Sequence, residues 1–115
     1  MSEFACKDGT PVPASMEANV KLLARQLEVI RGVIKRPLFI NSAYRTISHN
    51  AAVGGASRSF HLTGRAADIW CDGIPPRKLF TIIDRLMVDG AIIEGGLKAY
   101  KTFVHYDIRG NRTHF

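Results

Sequence analysis

Three residues of this chain are of the types that hold a divalent metal. His61 and Asp68 stand seven apart in "SRSFHLTGRAADIW", and His105 lies in "FVHYD" near the C-terminus. Zinc takes three or four ligands from histidine, cysteine and carboxylate, and a catalytic zinc keeps one position for water. Two imidazoles and one carboxylate make such a set. A loop folding back through Gly64 would bring His61 and Asp68 together, and a neighbouring strand would supply His105. Spacing alone leaves a second reading open. A chain with 4 histidines and 10 acidic residues offers accidental triples, and these three are then unrelated polar side chains of a small basic domain.

Covalent catalysis has less to work with. Neither Cys6 nor Cys71 has a histidine near it in the sequence that would activate it, and no GxSxG elbow is present. The two cysteines are too far apart for a CxxC knuckle and too few for a disulfide framework, so reduced, structural thiols are expected. His49 reads as a loop or helix-start residue. His114, in "RTHF", reaches a site only if the tail folds back over it.

The elements that must position these residues follow from periodicity. Val20, Leu23, Leu27, Ile30 and Ile34 recur at helical spacing, which predicts an amphipathic helix from Met16 to Ile34, capped by Ser15 and ended by Pro37. "PLFINSAYR" (37–45) and "GRAADIWC" (64–71) read as strands, the second with Ala67 and Ile69 on one face and Asp68 on the other. "SHNAAVGGASRS" predicts a helical turn followed by a loop. "PPRKLFTIIDRLMVDG" predicts a second helix, with proline in its first turn and Gly90 as its stop. "AIIEGGLKAYKTFVHYDIR" reads as two or three strands with a turn at Gly95-Gly96. In the last of them His105 and Asp107 share a face. The expected fold is α+β, a small antiparallel sheet with two main helices packed on one side.

Length and composition agree with this outline. At 115 residues, 46% hydrophobic and 23% charged, the chain predicts a single domain over residues 1–115. No apolar run is long enough for a membrane span. "MSEFACKDG" lacks the basic start and apolar core of a secretory signal. The net charge of +6 suits an anionic partner such as nucleic acid, an acidic membrane or a bacterial wall. No glycine-rich phosphate loop or aromatic platform supports nucleic acid, so none is expected as a partner. A monomer is expected.

"SxHxxGxAxD", matched by Ser59, His61, Gly64, Ala66 and Asp68, resembles the first zinc motif of the D-Ala-D-Ala metallopeptidase superfamily. That group holds zinc D,D-carboxypeptidases, vancomycin-resistance dipeptidases, phage L-alanyl-D-glutamate endolysins and the hedgehog signalling domain. "SEFACKDG", "INSAYR", "HNAAVGGASRSFH" and "FVHYDIRG" are similar to its small bacterial and phage branch, in the same order. The resemblance implies Zn2+ held by His61, Asp68 and His105. It implies that Arg45 stabilises a developing oxyanion and that Ser59 contacts substrate or supports the site. The implied substrate is a peptidoglycan peptide, in the periplasm, outside the cell or at phage lysis.

One position departs from the pattern. Many relatives carry an acidic residue three before the last histidine as general base, and here Thr102 stands there. A threonine hydroxyl does not take a proton from water. Asp107 is the leading substitute, either as the base or as the group that orients His105 through its ring N–H. Glu94 is the weaker alternative. The expected activity is metal-assisted hydrolysis of a peptidoglycan stem peptide or cross-link at a bond involving a D-amino acid. The competing reading is a zinc-containing binding module of the same fold without peptidase activity.

Overall fold

A computed structural model describes residues 2–115. Its framework is a five-stranded sheet in the order β1-β2-β4-β3-β5, with strands β1 (Phe39–Ser42), β2 (Ala66–Trp70), β3 (Gly96–Ala99), β4 (Val104–Asp107) and β5 (Thr113–His114). The β1–β2, β2–β4 and β3–β4 pairs are antiparallel, and the short edge strand β5 runs parallel to β3. Among the described residues, three α-helices accompany it: α1 (Glu17–Ile34), α2 (Ile47–Ala52) and α3 (Pro76–Val88). The fold is α+β as expected. The parallel edge pair is the one departure from an antiparallel sheet.

The sheet divides chemistry from packing because side chains alternate along each strand. Ala67, Ile69, Leu97, Val104 and Tyr106 enter one core with Val20, Leu23, Leu27 and Ile30 of α1 and Leu79, Ile83 and Met87 of α3. The alternating residues form a polar row across four strands. Ser42 stands opposite Asp68, Asp68 opposite His105, and His105 opposite Lys98. In antiparallel pairing, opposed residues project to the same face. The register therefore sets a carboxylate beside an imidazole before any loop is considered.

Helix ends differ in detail from the sequence reading. Ser15 does not cap α1: Ala14–Met16 form a 3-10 turn, Met16 sits at the N-cap, and its amide donates to the Pro13 carbonyl. The Glu17 amide, a donor that a Ser15 cap would serve, reaches the Ala14 carbonyl instead. The helix closes at Lys35, in the left-handed region at φ 54°, two residues before Pro37. Gln26, buried on α1, accepts from the Ile93 amide at 3.0 Å and ties the helix to the segment leading into β3.

The pair Gly95-Gly96 is not a turn; the chain reverses between Ala99 and Val104, and these glycines lead into β3. Their reason is close approach. A Cβ on Gly95 would overlap the backbone carbonyl of Asp107, and one on Gly96 would overlap the Asp107 carboxylate and the Arg109 guanidinium. Backbone cannot step aside as a flexible side chain can. Gly95→Ala is therefore expected to cost about 2–3 kcal/mol in a urea unfolding curve.

The tail is held by charge. Asp84 of α3 accepts from Arg112 at 2.7 and 2.8 Å and contacts His114 Nε2 at 2.8 Å. The Arg112 hydrogen bond foremost, with His114 and against slight burial, pulls the Asp84 carboxyl from 3.8 to about 2. A folded-state pKa below the unfolded one gives stability that is present above the unfolded value and lost as pH falls through the folded one. Asp84→Asn is expected to unfold at lower urea than wild type at neutral pH. The gap should narrow as pH drops from 3.8 toward about 2.

Candidate metal centre

His61 reaches the polar row from a 3-10 turn, Phe60–Thr63. Ser59 caps that turn by accepting from the His61 amide at 3.2 Å, and Gly64 closes it at φ 70°. The left-handed conformation favours glycine, and Val20 of α1 packs into the space a Cβ would need. The chain folds back through Gly64 as expected and delivers His61 next to Asp68.

Three acceptor atoms converge there. His61 Nε2 lies 3.2 Å from Asp68 Oδ1, and His105 Nδ1 lies 3.1 Å from the same oxygen. The opposite nitrogen of each ring is already committed. His61 Nδ1 faces the Ala43 carbonyl at 2.6 Å, and His105 Nε2 faces Asp107 Oδ2 at 2.8 Å. A carbonyl and a carboxylate only accept, so these two nitrogens carry the ring protons. In the neutral rings, His61 Nε2 and His105 Nδ1 then point lone pairs at an anionic oxygen. Such an arrangement requires a cation, whether ring protons or a metal ion. Tetrahedral zinc at ordinary bond lengths sets its ligand atoms about 3.3 Å apart. The 3.1 and 3.2 Å separations fit it, as does the donor set.

The electrostatics agree with the geometry. His61, Asp68 and His105 are all buried. Burial, the largest influence, would raise the Asp68 carboxyl, but hydrogen bonds from His105 and His61 outweigh it and hold Asp68 well below the usual range. For His105, burial favours the neutral ring and is outweighed by Asp107 and Asp68, which raise its pKa. A cation in this position is thus favoured from both sides.

Arg45 is not a surface ion pair. Its Nη2 donates to Asp68 Oδ2 at 3.0 Å, Nε to Ser42 Oγ at 3.1 Å and Nη1 to Asn50 Oδ1 at 3.3 Å. Asn50 is fixed in turn by donating to the Ala56 carbonyl at 2.8 Å. One oxygen of Asp68 therefore serves the imidazoles and the other the guanidinium. The centre opens on a cavity of about 540 Å³ whose wall includes Arg45, Arg58 and Arg109 as well as Phe60 and Phe115. Among the described residues, Asp68 supplies the one side-chain carboxylate in that wall.

Asp107 lies behind the centre, fully buried. Oδ1 accepts from the Gly96 amide at 2.8 Å and from Arg109 N and Nε at 3.1 and 2.8 Å. Oδ2 accepts from Arg109 Nη2 at 2.7 Å and meets His105 at 2.8 Å. Burial would raise its carboxyl; Arg109 first, then His105, outweigh it and hold the group ionised. Thr102 and Glu94 are exposed and outside the cavity wall. The tail does return to the sheet, but it turns His114 to Asp84 and sets the Phe115 ring against His105, centroids 5.3 Å apart. Both cysteines are free and buried, and His49 sits within α2.

Asn50, Arg109 and Phe115 belong to this surround and were not singled out in the sequence. Arg109 had a signal, since "DIR" puts it two residues beyond Asp107. Asn50 and Phe115 are brought in by tertiary packing.

Comparison with known proteins gives this geometry a family. The Peptidase M15 family profile matches residues 1–107. The zinc D-Ala-D-Ala carboxypeptidase of Streptomyces albus G is 35% identical over 57 residues, which is 49% of this chain and 22% of that protein. The chain thus matches less than a quarter of that curated relative's length. The crystal structure of the Serratia marcescens L-Ala D-Glu endopeptidase ChiX superposes with a TM-score of 0.51 at 22% identity, covering 83% of this chain and 86% of that one. That likeness supports the fold. Because that profile matches far more than half of the chain, the chain belongs to the Peptidase M15 family of the D-Ala-D-Ala metallopeptidase superfamily.

Proposed function

We propose that this chain is a zinc peptidase that hydrolyses peptidoglycan stem peptides or cross-links at a bond involving a D-amino acid. The observation that carries the reading is the convergence of two imidazole nitrogens on Asp68 Oδ1 at the wall of an open, arginine-rich cavity. The names of the Streptomyces and Serratia relatives, a carboxypeptidase and an endopeptidase, support the substrate class. The basic cavity wall suits a substrate that carries carboxylates.

His61, Asp68 and His105 would hold the ion. Zinc bound there supplies a water with a pKa near 7 and polarises the scissile carbonyl. Arg45 has three of its five N–H donors engaged by Asp68, Ser42 and Asn50, which leaves two for a carbonyl oxygen that gains charge in the transition state. Because those three anchors fix the guanidinium before substrate arrives, little reorganisation is needed at the moment of reaction. Ser59 accepts from the His61 amide, so its own O–H remains to donate to a bound peptide. Residues 1–115 act as one catalytic domain.

Asp107 has two roles open to it, and its surroundings favour one. A general base needs a lone pair facing the water, and the Asp107 oxygens are taken by Arg109, Gly96 and His105 in a fully buried position. It orients His105 and keeps the proton on Nε2, which leaves Nδ1 to the ion. The sealed Asp107 and the threonine at 102 also favour a second reading, a zinc-containing binding module that grips the same peptides without cutting them.

The deciding experiment incubates the purified chain with peptidoglycan fragments, with chelator and after zinc is restored. Loss of peptide products on chelation, their return with zinc, and their absence in His61→Ala are expected. A wild type that holds zinc and binds fragments but releases no product would favour the binding module. Asp107→Asn is expected to weaken zinc affinity about 10- to 100-fold, with turnover largely recovered at saturating zinc. Unchanged zinc affinity with lost turnover would instead make Asp107 the base.

A further inference from the structure

A second group of metal-ligating side chains comes together where the N-terminal segment meets α2. Cys6, Asp8 and His49 each place one ligand atom within 4.8 Å of the other two. None of the three touches the centre described above. We propose that they hold a second divalent transition-metal ion, of the zinc class, that staples the N-terminal segment to α2.

The site is built before any ion arrives. Residues 6–10 form a closed turn in which Cys6 N donates to the Thr10 carbonyl, Gly9 N to the Cys6 carbonyl and Thr10 N to Asp8 Oδ1, all at 2.9–3.0 Å. Gly9 makes this turn possible at φ 96°. The Tyr44 amide donates to the Phe4 carbonyl at 3.0 Å and pins the segment beyond the end of β1. His49 comes from the opposite side, on a helix capped by Thr46. The Thr46 hydroxyl lies among the three ligands. It donates to Asp8 Oδ2 at 2.8 Å, accepts from His49 N at 3.1 Å and lies 4.0 Å from Cys6 Sγ.

The donor types select the ion. Sulfur, imidazole nitrogen and one carboxylate oxygen suit zinc and its first-row neighbours and disfavour calcium and magnesium, which take oxygen ligands. Three protein ligands leave a fourth position for water, on the exposed Asp8 side. Among the described residues, neither ring nitrogen of His49 makes a hydrogen bond, so a lone pair is free to ligate.

The consequence reaches the cavity without entering it. Thr46 follows Arg45 directly, and Asn50 of α2 binds the Arg45 guanidinium and the Ala56 carbonyl. An ion tying α2 to the N-terminal turn would fix the helix that holds Arg45 in place. Its part is positioning.

Cobalt(II) reconstitution of the metal-free protein under reducing conditions tests this, because a thiolate ligand gives cobalt a near-ultraviolet charge-transfer band. The His61, Asp68 and His105 centre has no sulfur, so the band reports the second site alone and is independent of peptidase activity. The band is expected in wild type, in His61→Ala and in Cys71→Ser. It should be lost in Cys6→Ser, with one metal equivalent fewer than wild type by elemental analysis. No band in wild type at saturating cobalt, or a band that survives Cys6→Ser, overturns the proposal. Should Cys6→Ser fail to fold, His49→Ala decides: one equivalent fewer supports the site, and an unchanged metal content overturns it.

Discussion

Everything at the functional face is arranged around one buried carboxylate. Asp68 presents one oxygen to His61 and His105 and the other to Arg45, and it does so from the middle of β2, where the backbone is fixed by pairing on both sides. A buried anion is tolerable only when its partners compensate the lost hydration. Here the compensation comes from a cation on either side: the guanidinium permanently, and the space between the imidazoles by proton or metal. Removing Asp68 would leave a half-buried arginine and two buried imidazoles with no common partner, so the carboxylate that would ligate an ion is also one the fold depends on.

The remaining polar groups form concentric supports. Ala43 and Asp107 set which ring nitrogen of each histidine carries the proton. Arg109 and the Gly96 amide hold Asp107, while Ser42 and Asn50 hold Arg45. Except for Asn50 on α2, these supports lie on or next to segments that also supply the hydrophobic core, so packing on the helical side of the sheet is transmitted to the polar side as precision. Gly95 and Gly96 belong to this scheme: they let the first residues of β3 approach Asp107 closely enough for an amide to reach its carboxylate.

Much of this was legible in the sequence. Helical periodicity marked α1 and α3 to within a few residues, and alternation put Asp68 on the face opposite Ala67 and Ile69. The ordered motifs around His61, Asp68 and His105 pointed to the residues that the structure brings together. The failures have physical causes. Ser15 has the form of a cap in the sequence, but the Ala14 carbonyl takes the Glu17 amide, and a backbone acceptor has no side-chain signature. Adjacent glycines suggest a turn, because close backbone approach and left-handed conformation leave the same trace in a sequence. The role of Asp107 could not be weighed because it depends on burial and on Arg109, and a linear pattern shows proximity but not enclosure. Asn50 and Phe115 are invisible for a similar reason, since only the folded chain brings them to the cavity.

The polar row across β1, β2, β4 and β3 has a consequence for how the protein comes to exist. Asp68 and His105 are 37 residues apart, with all of α3 and β3 between them, and they become neighbours only when β2 and β4 pair. Closing so distant a contact is slow, because chain entropy is lost before the contact repays it. The unfolded chain offers scattered histidines and acids but no assembled chelate. An ion with the full set of ligands therefore binds the native state alone and draws the folding equilibrium toward it in proportion to its free concentration. A metal ion held there would, on this view, raise the fraction of molecules that are folded as well as the fraction that are competent.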